Sequence, residues 1–202
     1  MGRVVGTRAF VAALDAAVPQ AHLAAGSALR AWAEAQGLDA AEYFSERDVL
    51  EEQHKWWVPR LAAYSAIVAV HSLVEAELFA CADRLRAGLK SPKRRGLDRA
   101  RASFMRATAV DVTEDDTWPD MLRLEELRNI VVHRGGNVEQ SDNDRKVVAR
   151  LQKVYDSKLW LVKRSQLHGE YVHVTPTLCT EFAEKAEVLF RRLEAKIDHA
   201  RQ

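Results

Sequence analysis

The stretch from about Pro59 to Leu89, PRLAAYSAIVAVHSLVEAELFACADRLRAGL, decides the fold class of this chain. Leu61, Tyr64, Ile67, Val68, His71, Leu73, Val74, Leu78 and Leu85 supply one wide apolar face at spacings of three and four, which is helical spacing. Gly88 and Pro92 punctuate its end. Upstream, one helix is expected from about Thr7 to Gln36, weakened near Pro19 and Gly26 and ended by Gly37. A second runs from about Ala40 to Trp57 and stops before Pro59, because the residue before a proline disfavours helical backbone. Downstream, a fourth covers about Leu97 to Thr108. A fifth starts after Thr117, an N-cap with Pro119 just inside, and ends at Gly135-Gly136. Leu124, Leu127 and Val131 lie on its core-facing stripe, with Ile130 beside them.

The pattern then changes. Asp142 to Tyr155 reads as one more helix. Lys158 to Arg164 and Tyr171 to Thr175 are short β-rich runs around His168-Gly169, the mark of a hairpin. A last helix, about Pro176 to Ala200, closes the chain. A lone hairpin is marginal in water, so this one must pack on the helices. The expected fold is mainly α, with a small hairpin at about 158–175 before the C-terminal helix. No internal repeat or low-complexity segment interrupts it.

Composition narrows the class further. The 202 residues are 48% hydrophobic and 29% charged, with nine glycines and five prolines. That excludes a disordered tail, a collagen-like repeat and a disulfide scaffold. Folding a chain of this size buries roughly 70% of its surface, enough for one core, so a single domain over 1–202 is expected. Cys81 and Cys179 are too few for a disulfide framework and too far apart in sequence for a zinc cluster, which fits a reducing, cytoplasmic setting. Thirty basic residues against 29 acidic leave no whole-molecule field that announces nucleic acid. Arg3 and Arg8 precede no long apolar segment, so no targeting signal is read. The longest apolar run, Ala62 to Val70, is broken by Tyr64 and Ser65 and falls far short of the roughly 20 residues that cross a bilayer. A soluble protein with no membrane partner is expected.

Most familiar chemical motifs are missing: no phosphate-binding glycine loop, no His-Glu-x-x-His, no Gly-x-Ser-x-Gly, no Cys-x-x-Cys. His168 and His173 flank the hairpin turn without a third ligand, so they read as solvated turn histidines, and neither a metal site nor a cofactor is expected. The segment that stands out is Glu125-Glu126-Leu127-Arg128-Asn129-Ile130-Val131-Val132-His133-Arg134-Gly135-Gly136. With 21 arginines and seven histidines, an arginine shortly before a histidine means little alone, and Arg47 with His54 and Arg192 with His199 are two further cases. Arg128 differs in its context. A polar Asn129 follows it, the apolar Ile130-Val131-Val132 comes next, and His133 falls at the glycine-rich helix end. Asn129 and His133, four apart, share a helix face. An imidazole titrates near neutrality and can move a proton, while a guanidinium grips phosphate through paired hydrogen bonds. The bland alternative stays open: Arg128 pairs with Glu125, Asn129 is solvated, and His133 helps cap the helix C-terminus.

The segment Leu127 to Gly136 resembles the signature of the HEPN superfamily, in which an arginine, a polar residue and a short spacer precede a histidine on a late helix of an all-helical bundle. Tyr64 to Leu85, with Ser72-Leu73-Val74-Glu75 at its middle, looks like the packing helix before it. The likeness covers roughly Asp48 to Gly136 and the final helix, leaving 1–37 as an N-terminal extension to a core over 38–202. It implies metal-independent endoribonuclease chemistry in a toxin or antiviral defence effector, with RNA as substrate and an antitoxin or defence-system partner. His133 would transfer the proton, Arg128 would stabilise the phosphorane charge, and Asn129 would orient them. It also implies a homodimer whose two motifs share one composite cleft. A toxin branch of the family carries a tyrosine two residues after the histidine; Gly135 stands there instead, so regulation through that tyrosine is not expected. Since many members of the family are scaffolds, the resemblance equally admits a non-catalytic module that binds RNA, a nucleotide or a partner protein.

A second feature bears on RNA. Residues 90–106 carry seven basic side chains against one acidic, Asp98. Lys93, Arg94, Arg95, Arg99 and Arg101, with Arg134 beside the motif, are candidate contacts to backbone phosphates. A solvated loop and helix face is the competing reading. Trp56-Trp57 offers stacking surface for bases, although large aromatics at a helix end more often anchor a core or an interface.

Overall fold

The computed structural model describes residues 2–85, 96–163 and 169–200. The chain is mainly helical, with one two-stranded antiparallel sheet. Helix α1 spans Gly2–Gln36, α2 Ala40–Glu52, α3 Val58–Leu85, α4 Gly96–Thr108, α5 Trp118–Arg134, α6 Asp142–Tyr155 and α7 Pro176–Ala200; strands β1 Leu159–Lys163 and β2 Glu170–Val174 lie between α6 and α7.

The expected break before Pro59 does not occur, and the stretch expected to be weak near Pro19 and Gly26 is continuous helix. Helix α1 runs straight through Pro19 and Gly26, and α2 joins α3 across Pro59 in one rod, Ala40–Leu85. The physical reason at Pro59 is visible next to it. A proline has no N–H for the carbonyl four residues back, and the turn Gln53–Trp57 relaxes into π-helix, which changes the hydrogen-bond register without ending the helix. One 18-residue window of the rod is apolar enough by composition to cross a membrane, and 44% of that window is buried inside the protein.

Helix α3 is the central strut. Ala63, Ile67, Val70, Val74 and Leu78 are buried along one stripe with Tyr64 and His71 beside it, whereas Leu61, assigned to the apolar face from sequence, is 55% exposed. Around this stripe pack Leu97, Ala100 and Phe104 of α4, Met121, Leu124, Leu127 and Val131 of α5, Val148 and Leu151 of α6, and Leu178, Phe182 and Leu189 of α7. Val11 of α1 joins the same core. Beyond residue 20 α1 leaves it. Together with α2 it forms a helical hairpin in which Ala33 alone is buried and Leu23, Trp32, Phe44 and Val49 are exposed.

The sheet pairs Leu159 with Val174, Leu161 with Val172 and Lys163 with Glu170. Alternation sends Leu159, Val172 and Val174 into the core. Trp160, paired with His173, and Val162, paired with Tyr171, lie on the opposite face. The hydroxyl of Tyr64 donates to the Val172 carbonyl at 2.5 Å, fastening the sheet to α3.

Candidate functional site

Helix α5 opens after Thr117, whose side chain makes no capping bond to the helix. Thr117 therefore stands at the expected N-cap position without capping through its side chain. Asp115 takes the hydroxyl of Thr117 instead: Thr117 Oγ1 and its backbone N–H both donate to Asp115 Oδ1, at 2.6 and 3.0 Å. The helix ends where the glycines predict. Gly135 adopts the left-handed conformation at φ 58° and its N–H bonds to the Ile130 carbonyl. Gly136 follows at φ 79°, and a Cβ there would collide with the Tyr64 hydroxyl. The chain after the helix is then pinned to the sheet: the Val172 N–H donates to the Gly136 carbonyl at 2.9 Å, the Val138 N–H donates to the Glu170 carbonyl at 2.8 Å, and Asn137 forms a bridge with Tyr171. The end of α5 therefore holds a fixed position between α3 and the hairpin.

On that end the three motif residues come together. Asn129 and His133 are exposed and Arg128 is half-buried. Arg128 Nη1 donates to Asn129 Oδ1 at 2.9 Å, while Arg128 Nε is buried without a hydrogen-bond partner. Glu125, the partner of Arg128 in the bland reading, is engaged elsewhere. It accepts the Leu97 N–H at 3.0 Å, in the first turn of α4, and lies 3.9 Å from Nε2 of the buried His71. His71, opposed by burial and helped by the Leu97 amide and Arg128, holds the Glu125 carboxyl below its usual range. This junction of α3, α4 and α5 backs the motif and was not legible from spacing, since its members lie up to 54 positions apart. Exposed Leu122 and Val132 flank the motif on the same helix.

Three of the six proposed phosphate contacts belong to the described residues. Lys93, Arg94 and Arg95 lie outside the described residues. Arg99 is exposed, with its guanidinium carbon 5.5 Å from the Phe79 ring centre. Arg101 pairs with Asp98 at 3.0 Å, and Arg134 Nε lies 3.6 Å from Asp144. Arg134 is exposed, so its pair exchanges readily for other anions, whereas Arg101 is half-buried. Trp56 and Trp57 stand against His173 and Tyr171 respectively, so they join the helical rod to the hairpin. His173 is not the solvated turn residue expected of it. It is half-buried on β2, with its ring 4.1 Å from that of Trp160. His168 lies outside the described residues, and among the described residues no cluster of three metal-ligating side chains occurs.

The arrangement thus defines a helical protein carrying a half-buried Arg128 beside exposed Asn129 and His133 at a buttressed helix end. The chain matches no family model, no curated protein and no solved structure.

Proposed function

We propose that the protein is a metal-independent endoribonuclease with a HEPN-like helical bundle and that Arg128, Asn129 and His133 carry its chemistry. The observation that supports this reading is the solvent-open cluster itself: Arg128 and Asn129 hold one another at 2.9 Å, and His133 is exposed on the same helix face as Asn129. A ribose 2′-hydroxyl attacks the adjacent phosphorus as His133 removes its proton, the bond to the 5′-oxygen breaks, and that oxygen leaves protonated. The products are a 2′,3′-cyclic phosphate and a 5′-hydroxyl. Arg128 faces the charge that develops on the phosphorane. One chain supplies one such imidazole, so acid and base together call for a two-fold dimer with the exposed Leu122 and Val132 near its axis.

The test combines mass and turnover. Light scattering at micromolar concentration is expected to give a dimer, and cleavage of single-stranded RNA is expected to survive a chelator and to fail on a substrate lacking the 2′-hydroxyl. A strictly monomeric mass removes the composite mechanism. Tight RNA or protein binding without turnover replaces the nuclease with a binding module.

A further inference from the structure

Arg60 is the residue whose environment is least explained by folding. It sits in the first turn of α3, directly after the π-helical turn and Pro59, and is 7% exposed. Its guanidinium carbon lies 4.1 Å from the ring centre of Trp57 and 4.4 Å from that of Tyr171, with Tyr64 at 5.8 Å. No ion pair joins it to a carboxylate among the described residues, and its Nε is buried with no hydrogen-bond partner. Cation–π contacts return only part of the hydration that a buried guanidinium gives up. Two other buried charges of the core are treated differently: Asp120 and Asp115 each receive several donors. Among the described residues Arg60 is a buried cation with no carboxylate paired to it.

A small space adjoins the guanidinium. Trp56, Trp57, Arg60, Tyr171 and His173 line a cleft between the helical rod and the outer face of the hairpin, with a free volume of about 10 Å³. This is the room one water-sized atom needs, so the cleft admits a single oxygen of a larger group. The guanidinium carbon lies against the rings of Trp57 and Tyr171 and Arg60 lines the cleft, and guanidinium N–H groups match the oxygens of an oxyanion. Burial, and next the charge of Arg60, hold His173 below its usual pKa, so at neutral pH it adds a neutral imidazole to the wall.

We propose that this cleft is an oxyanion-binding site that takes a phosphate oxygen against the Arg60 guanidinium. The phosphate is that of a nucleotide or the free ion; the shared chemistry is the tetrahedral oxyanion. The site shares no residue with the Arg128 cluster and does not depend on the nuclease reading.

Three tryptophans, Trp56, Trp57 and Trp160, surround the site and make their fluorescence a direct readout. The full chain is titrated with inorganic phosphate, AMP and adenosine at constant ionic strength held with chloride. Saturable changes are expected with phosphate and with AMP, and none with adenosine. Equal or tighter binding of AMP identifies a nucleotide as the source; binding of phosphate alone identifies the free ion. Arg60→Gln is expected to weaken both about 10- to 100-fold, the range for losing a charge-assisted bond. Should that variant not fold, Arg60→Lys keeps the charge without the fork and is expected to bind several-fold less tightly. No saturable response in the unmodified protein, adenosine binding as well as AMP, or unchanged affinity in a folded Arg60 variant overturns the proposal.

Discussion

The two ends of α5 place polar groups in opposite surroundings. At its first turn Asp120 is 7% exposed and saturated with donors: Tyr155 Oη at 2.8 Å, Arg123 Nη1 at 2.8 Å and Lys185 Nζ at 2.6 Å. These bonds tie α5 to α6 and α7. At its last turns Asn129 and His133 are exposed, and the hydrogen bond from Arg128 to Asn129 joins members of the cluster to one another. A buried carboxylate persists only when its hydrogen bonds are satisfied inside the protein. An exposed imidazole carries no such requirement and keeps its nitrogens for a ligand. One helix thus separates polar groups that hold the fold from polar groups left open to solvent, and the separation can be tested at both ends.

The largest effect is expected at the exposed end. His133→Ala should lower RNA cleavage by about 10² to 10⁴, the range for one acid–base group, and Arg128→Ala by a comparable factor. Neither should move the unfolding midpoint appreciably. A folded dimer of His133→Ala that still cleaves RNA removes the motif from the chemistry. A large loss of stability instead makes the two ends of α5 alike.

Asp120→Ala should do the reverse. Removing one member of a buried charge network costs about 3–5 kcal/mol, read by urea unfolding, and any protein that remains folded should keep the Arg128 cluster. The network also sets a pH dependence. Burial tends to raise the carboxyl pKa of Asp120, but bonds from Lys185, Tyr155 and Arg123 outweigh it and leave the folded value depressed. A depressed carboxylate stabilises the fold fully above the unfolded pKa, about 3.9, and loses that contribution as pH falls through the folded value. Urea midpoints of the unmodified protein should therefore fall below about pH 4 more steeply than those of Asp120→Asn. Parallel curves would mean that Asp120 contributes no such linkage.

Smaller effects sharpen the picture at the helix end. Gly136→Ala should cost about 2 kcal/mol from the left-handed backbone alone, and more because its methyl group meets the Tyr64 hydroxyl that holds β2. Replacing Lys93, Arg94, Arg95, Arg99 and Arg101 together by Ala should flatten the salt dependence of RNA binding while leaving thermal stability nearly unchanged. An unaltered salt slope assigns these charges to solubility. His54→Ala, at an Arg-His pair in the π-helical turn, should leave cleavage unchanged.

The local elements were legible in the sequence because their causes are local. Three-and-four spacing marks α3 and the core stripe of α5, the Gly135-Gly136 pair ends α5 at the position its backbone requires, and the β-rich runs around His168-Gly169 lie within a residue of the observed strands. Even the misjudged boundary at Pro59 is local: a missing N–H does predict a broken helical bond there, but a π turn absorbs the loss and the helix continues. The adjacency of Arg128, Asn129 and His133 was likewise written in the sequence, since neighbours on a helix stay neighbours in any fold that keeps it.

Tertiary structure alone decided what those elements surround. Asp120 meets Tyr155 and Lys185 across 35 and 65 positions, and Arg60 meets Tyr171 because β2 packs against the helical rod, where Tyr64 bonds to the Val172 carbonyl. No periodicity specifies such pairs. Whether a charged side chain is buried, and which group answers it, depends on how separate helices pack, and packing energies are summed over contacts that a single helix or strand does not contain.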